Sequence, residues 1–319
     1  MPKTTPISGV DYPATYRQFT AFFPDDRACR EYVDRLRFRD GFSCPGCGAL
    51  EFFRASDGTR VCKVCKRRTS PTAGTIFHRS HLPLSTWFAA MWFLTSQKNG
   101  VPALGMQRVL GLGSYETAWS MLHKLRRAMV RPEREPLEGI VEVDESYVGG
   151  VERGVDGRHT GGKAVVVIAC ELIEPKGLGR IRMMPLQAIS QDEVFSFIER
   201  SVEKGSLLRT DGWNLYRFVS SLGYDHEAIN VKGSGDPAHV AMPGVHRVSS
   251  LLKRWLQGTM QYAVSFNHLA YYLDEFTFRF NRRNAKERGL LFYRLAEQAA
   301  AIGPYKNSEL VGGVTNPYI

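Results

Sequence analysis

Leu137 to Gly150 reads LEGIVEVDESYVGG. Ile140, Val141, Val143 and Val148 place β-branched bulk in a short run that ends on a glycine pair, the pattern of a buried strand with a sharp exit. Asp144 stands inside that run. A carboxylate among apolar side chains is costly to bury, so it is either satisfied by backbone N–H groups or holds a cation.

Downstream the pattern continues in a definite order. A Gly-rich basic loop over 149–163 leads to a strand over 164–172 and another over 180–186. SQDEVFSFIERSVEKG follows as a helix, with Ser190 as N-cap, Glu193 completing a capping box and Gly205 as the stop. A fourth strand over 206–210 ends at Asp211, LYRFVSSLG reads as a short helix, 226–231 as a fifth strand, and a long amphipathic helix starts near His246. Three antiparallel strands followed by βαβ crossovers give an α/β fold, a ribonuclease-H-like mixed sheet flanked by helices. In that order the first strand carries a metal ligand at its middle, and the fourth, its parallel neighbour, carries another at its C-terminal end. Asp144 and Asp211 fall at those points, and two such carboxylates suit one or two Mg²⁺ or Mn²⁺ ions. Taken alone, Asp211-Gly212-Trp213 also reads as an ordinary turn.

A third group is expected near the start of the last helix, HRVSSLLKRWLQGT. Here His246 and Lys253 lie seven residues apart, two turns along one face. A neutral imidazole gains nothing from the helix dipole and suits Mn²⁺ better than Mg²⁺. Asp236, His239, Glu142 and Glu145 are rivals for the role. Glu142 shares the strand face of Asp144, whereas Glu145 points to the other side.

Four of the six cysteines form two close pairs, Cys44-x-x-Cys47 and Cys62-x-x-Cys65. Two thiolate pairs on tight turns joined by a hairpin place four sulfurs around one structural Zn²⁺, which defines a zinc ribbon over 41–78. Lys63, Lys66, Arg67 and Arg68 crowd its second knuckle and suit a phosphate backbone. Residues 1–40 have helical spacing, with a helix start at Pro24-Asp25-Asp26. Residues 79–131 read as an all-α helix-turn-helix segment. A buried helix carrying Trp87, Phe88, Met91 and Trp92 is followed by a short helix, the turn GLGS and a second helix, leaving Glu116, Thr117, Ser120, Lys124, Arg126 and Arg127 for groove and phosphates. Residues 131–136 read as a linker, 137–300 as the ribonuclease-H-like catalytic domain, and 301–319 as a loosely ordered tail. Arg254 and the cluster Arg279, Asn281, Arg282 and Arg283 are further candidates for the DNA backbone.

A formal charge of +10 makes a polyanion the most economical partner. The N-terminus lacks the build of a signal peptide and no apolar run is long enough to span a bilayer, so a cytoplasmic, nucleoid-associated protein is expected.

The two cysteine knuckles, VEVDESYVGG, TDGW, HRVSSLLKRWLQGT, HLAYYLDEFTFRFNRR and RGLLFYRL together carry a resemblance. Over nearly its full length the chain resembles the zinc-ribbon DDE-type transposases of bacterial insertion sequences, the ISXO2-like group. The resemblance implies a metal-dependent polynucleotidyl transferase that binds the inverted-repeat ends of its element and joins them to target DNA, as a homo-oligomer in the DNA complex. It makes Asp144 and Asp211 the invariant metal carboxylates. A frequent family pattern sets a Glu seven residues before a Lys, and counting back from Lys253 lands on His246, so this chain departs from Asp-Asp-Glu at its third position. A domesticated zinc-ribbon DNA-binding protein without catalysis and a metal-dependent nuclease without strand transfer are the alternatives.

Overall fold

The computed structural model describes residues 5–131, 134–149, 163–175, 177–229, 238–261 and 264–313. The chain divides into two compact units. The first joins residues up to 131 with 284–312, and the second takes most of the remainder, 132–283 and 313 onward.

The first unit begins with α1 (Tyr16–Phe22) and α2 (Asp26–Arg37). Asp25 caps α2 by accepting from the Ala28 N–H at 2.8 Å, as the Pro-Asp-Asp start predicts. Three short antiparallel strands follow in the order β1 (Phe52–Arg54), β2 (Arg60–Cys62) and β3 (Arg68–Thr69), forming the hairpin expected between the cysteine pairs. Next come α3 (Leu84–Ser96), α4 (Ala103–Leu110) and α5 (Tyr115–Ala128). Gly111 closes α4 in the left-handed region and Ser114 caps α5, which reproduces the predicted helix-turn-helix spacing.

Trp87, Phe88, Met91 and Trp92 of α3 are all buried. Phe88 meets Phe23 edge-on with ring centroids 4.7 Å apart, and Phe19 meets Trp92 at 4.9 Å. Phe292 also stands in this cluster, 5.6 Å from both Phe19 and Phe23. It belongs to α10 (Arg288–Ala301), so the helix that the sequence reading assigned to the end of a 137–300 domain completes the core of the first unit instead. Gly289 explains how α10 comes so close: a Cβ there would sit 1.8 Å from the Pro13 carbonyl oxygen. The last helix, α11 (Asn307–Gly312), buries Leu310 and lies within the stretch read as a loose tail.

The zinc-ribbon hairpin is fastened to α2 by one buried guanidinium. Arg60 donates twice to Asp34, at 2.8 Å to each oxygen, and lies over the rings of Phe38 and Phe52 at 4.1 and 4.4 Å. Burial alone would raise the Asp34 carboxyl, but Arg60 and Arg54 outweigh it and hold the group below the usual carboxylate range. A depressed folded-state pKa stabilises the fold above the unfolded value and loses that contribution as pH falls below about 4. Asp34→Ala leaves Arg60 buried and unpaired, so it should destabilise the unit by about 3–5 kcal/mol. Asp34→Asn should flatten the acid limb of the unfolding curve. Thermal melts between pH 3 and 7 check both, and an unchanged melting temperature for Asp34→Ala would remove Arg60–Asp34 as the fastening.

The second unit holds a five-stranded sheet in the order β6-β5-β4-β7-β8. Its strands are β4 (Ile140–Val148), β5 (Ala164–Ile173), β6 (Gly177–Leu186), β7 (Leu207–Thr210) and β8 (Asp225–Ala228). β4, β5 and β6 pair antiparallel, whereas β7 pairs parallel with both β4 and β8. This is the predicted order, a mixed sheet consistent with a ribonuclease-H-like fold. One face packs α6 (Gln191–Ser201) against Val141, Val143, Val167 and Leu208. On the other face, past a short α7 (Ala238–Ala241), α8 (Pro243–Met260) and α9 (Phe266–Phe280) cover Val166, Ile168 and Cys170. LYRFVSSLG departs from its predicted helix. It forms two 3₁₀ turns, Asn214–Tyr216 and Val219–Leu222, closed by Gly223 at φ 91°.

Candidate metal centres and nucleic-acid interface

The four paired cysteines converge. All four Sγ atoms lie within 4.8 Å of one another, with Cys44 to Cys65 at 3.5 Å and Cys47 to Cys62 at 3.6 Å. Tetrahedral zinc with Zn–S near 2.3 Å needs sulfurs ~3.8 Å apart, so the residues present fit the ion. The Gly46 backbone N–H donates to Cys44 Sγ at 3.4 Å and leads in pulling that thiol down, whereas Cys65, against the pull of the Arg67 N–H, is pushed up by the neighbouring sulfurs of Cys47 and Cys44. Cys29 and Cys170 are buried elsewhere.

In the second unit, β4 and α8 meet along a ladder of polar contacts on one strand face. Glu142 is almost fully buried and accepts from the Val245 N–H at 2.9 Å, which places a carboxylate on the N-terminus of α8. Burial pushes the Glu142 carboxyl up, against the N–H groups of Val245 and Gly244. The approach requires glycine at 244, since a Cβ there would lie 2.7 Å from Glu142 Oε2 and 2.8 Å from Leu172. One rung on, His246 Nε2 stands 4.0 Å from Asp144 Oδ2. On the next, Ser146 and Ser249 pair through their hydroxyls at 2.6 Å. Lys253 completes a small cleft of about 140 Å³ shared with Asp144, His246 and Ser249. Its ammonium is pushed below its usual range by burial and by Lys163, while Asp144 opposes the shift.

Asp211 follows the end of β7. The β4–β7 pairing runs in register to Glu142↔Arg209, and two residues further on come Asp144 and Asp211, on the same sheet face. Asp211 Oδ1 accepts from the Trp213 N–H at 2.9 Å and Gly212 sits at φ 72°, so the Asp-Gly turn is real and aims the side chain from the strand end. Asp144 Oδ1 accepts from the Glu145 N–H at 2.9 Å. Among the described residues the cysteine cluster is the only set of three or more ligating groups within 4.8 Å, so Asp144, Asp211 and His246 do not form an equally tight cluster. A hard, oxygen-rich pair with an imidazole beside it fits Mg²⁺ or Mn²⁺ by donor chemistry. Of the rivals for the third role, Glu142 is committed to the α8 N-terminus and Glu145 accepts from Tyr216 Oη at 2.5 Å. Asp236 and the His239 side chain lie outside the described residues.

The basic candidates separate by exposure. Lys63, Lys66, Arg67, Arg68 and Arg254 are on the surface. Arg126 and Arg127 are not. Both are 2% exposed, and Lys124 is half-buried with its ammonium pushed down by burial. The last turn of α5 faces inward, which removes Arg126 and Arg127 from the expected DNA face and leaves Tyr115 and Glu116 exposed at its start. Arg279 is drawn to Glu275 at 2.9 Å, and Arg283 binds the β6 carbonyls of Gly179 and Leu178. Asn281 clamps Ile181 through both its amide groups, so this cluster fastens α9 to the sheet, with Arg282 lying over Phe278. Arg247 is likewise exposed on α8, seven residues before Arg254. The spacing that singled out His246 and Lys253 pairs these two arginines as well.

The class is now defined: a four-cysteine zinc ribbon, together with a mixed sheet that carries one aspartate at the middle of β4 and another just past the end of β7, its parallel neighbour. Comparison with known families gives it its place. Residues 24–68 match the transposase zinc-ribbon domain and residues 136–281 the ISXO2-like transposase domain. The chain carries both, in the order the resemblance implied, and these are the domains of zinc-ribbon transposases. It is also similar to a Halobacterium salinarum protein described as "Uncharacterized protein in transposable element ISH50". That relative is 26% identical over 276 residues, covering 81% of this chain and 91% of the relative. No helix among the described residues is long and apolar enough to cross a membrane.

Proposed function

We propose that the chain binds the inverted-repeat ends of an insertion sequence as a homo-oligomer, cleaves them in a metal-dependent reaction and transfers the freed ends to target DNA in the cytoplasm. The observation that carries this reading is the placement of Asp144 and Asp211 on one face of adjacent parallel strands, with α8 bringing His246 to 4.0 Å from Asp144. Asp144 and Asp211 would hold the divalent cation, which when bound supplies Lewis-acid activation of the attacking oxygen and stabilises the leaving one. A water attacks the phosphodiester and releases a 3′-hydroxyl. That hydroxyl then attacks a target phosphodiester, so the number of phosphodiester bonds is conserved in the joining step. Lys253 offers its charge to a phosphate oxygen in the cleft, and Arg247 and Arg254 offer theirs along the exposed side of the same helix. The zinc-ribbon knuckle contributes Lys63, Lys66, Arg67 and Arg68 to the DNA backbone.

The test is cleavage of a labelled duplex carrying the element end, with Mg²⁺ or Mn²⁺, by the full chain. His246→Ala should lose most activity, and His246→Glu should retain or raise the Mg²⁺-dependent rate by restoring an oxygen ligand. Undiminished cleavage by His246→Ala would exclude this residue as the third group. Nicked products without joined ones would reduce the protein to a nuclease.

A further inference from the structure

The two proposed metal carboxylates stand on different strands, and their separation must be held before any ion arrives. Asp211 leads directly into a turn that dips beneath the sheet: Trp213 donates back to Asp211, Tyr216 N–H donates to the Trp213 carbonyl at 2.9 Å, and the Tyr216 side chain is fully buried. Its hydroxyl donates to Glu145 Oε1 at 2.5 Å. Glu145 is the residue after Asp144 and points to the opposite face of β4. The phenol therefore spans from the Asp211 loop to the strand of Asp144, next to both carboxylates but on the far side of the sheet. Burial and then the charge of Glu145 push the Tyr216 phenol well above its usual range, with Asp144 and Asp211 adding to the shift, so it remains a donor.

We propose that Tyr216 and Glu145 form a strut that sets the spacing of Asp144 and Asp211, making them positioning residues for the divalent-cation site. The inference rests on the metal-dependent reading above. The 3₁₀ turns in place of the expected helix are part of the device. A regular helix after Gly212 would direct residue 216 elsewhere, whereas the turn at Asn214–Tyr216 drives the ring inward beside Val219 in the core under β4 and β7.

The test uses the zinc-loaded full chain without DNA, in wild type, Tyr216→Phe, Glu145→Ala, Glu145→Gln, the Tyr216→Phe/Glu145→Ala double variant and Asp144→Asn. Mn²⁺ binding is followed by electron paramagnetic resonance, and amide exchange over 207–222 by mass spectrometry. Tyr216→Phe and Glu145→Ala should each weaken Mn²⁺ about ten-fold, in line with other residues that orient metal ligands from behind. Both should speed exchange at Trp213 and its neighbours and lower kcat without raising KM for DNA. The double variant should be no worse than Glu145→Ala alone, and Glu145→Gln, whose carbonyl still accepts from the phenol, should recover much of the loss. Unchanged exchange in Tyr216→Phe overturns the strut. Faster exchange with unchanged Mn²⁺ affinity and kcat also overturns it, because the contact would then serve the fold alone. Mn²⁺ binding that is insensitive to Asp144→Asn would instead overturn the metal reading, a result obtained without the Tyr216 and Glu145 variants, and the exchange data would still decide whether the strut holds the Asp211 loop.

Discussion

Asp144→Asn and Asp211→Asn should each lower the rate of strand cleavage by a factor of about a thousand or more, which corresponds to roughly 4 kcal/mol of lost transition-state stabilisation. Each substitution isolates the charge. Asp144 uses one oxygen to accept from the Glu145 N–H and Asp211 uses one to accept from the Trp213 N–H, and an asparagine carbonyl can make either bond. The turn after β7 and the middle of β4 should therefore keep their geometry, while the negative charge that holds a divalent cation is lost. Affinity for the element end, measured by gel shift in the absence of divalent metal, should remain within a few-fold of wild type, since the proposed phosphate contacts lie on the zinc-ribbon knuckle and on α8. Cleavage retaining a tenth or more of the wild-type rate in either variant would take that aspartate out of the metal site.

The strands and their order were legible because β4 and β5 are dense in β-branched residues and the turns are marked by glycine. The same local logic found Ser190 as a cap and the four cysteines as one cluster. What it could not see are the partners chosen across long sequence separations. Arg126 and Arg127 look like phosphate contacts in a basic run, yet the run closes an amphipathic helix whose last turn is interior, and charge alone does not report burial. Asn281 and Arg283 look like a clamp on DNA, but their groups are spent on Ile181, Gly179 and Leu178, about a hundred residues earlier in the chain. Strand alternation separated Glu142 and Glu145 onto opposite faces, but not their tasks. One carboxylate caps the helix that carries His246, and the other receives the tyrosine of the loop that carries Asp211. The flanks of Asp144 are thus the supports of the site rather than substitutes for its ligands.

Removing zinc should unfold the ribbon. Its strands span only Phe52–Arg54, Arg60–Cys62 and Arg68–Thr69, and its buried cluster is Phe42 with Cys44 and Cys62, so two of the three fully buried members are themselves ligands. So small a core cannot offset the entropy of ordering the loops, and the fold there depends on metal binding worth on the order of 10 kcal/mol at neutral pH. Cys44→Ser or Cys62→Ser should abolish the single zinc per chain measured by atomic emission, whereas Cys29→Ser and Cys170→Ser should leave it in place. Because the ligands must be thiolates, zinc should also be released on acidification, before the Asp34 carboxylate is protonated. Once the hairpin opens, Arg60 leaves Asp34 and the rings of Phe38 and Phe52, so the loss should reach α2 as faster amide exchange over its second half. Binding of the element end by the chelated protein should weaken, and its salt dependence should become shallower as Lys63, Lys66, Arg67 and Arg68 lose their fixed arrangement. Full zinc content in Cys62→Ser, or unaltered exchange over residues 42–69 after chelation, would show that the four thiols do not hold the hairpin together.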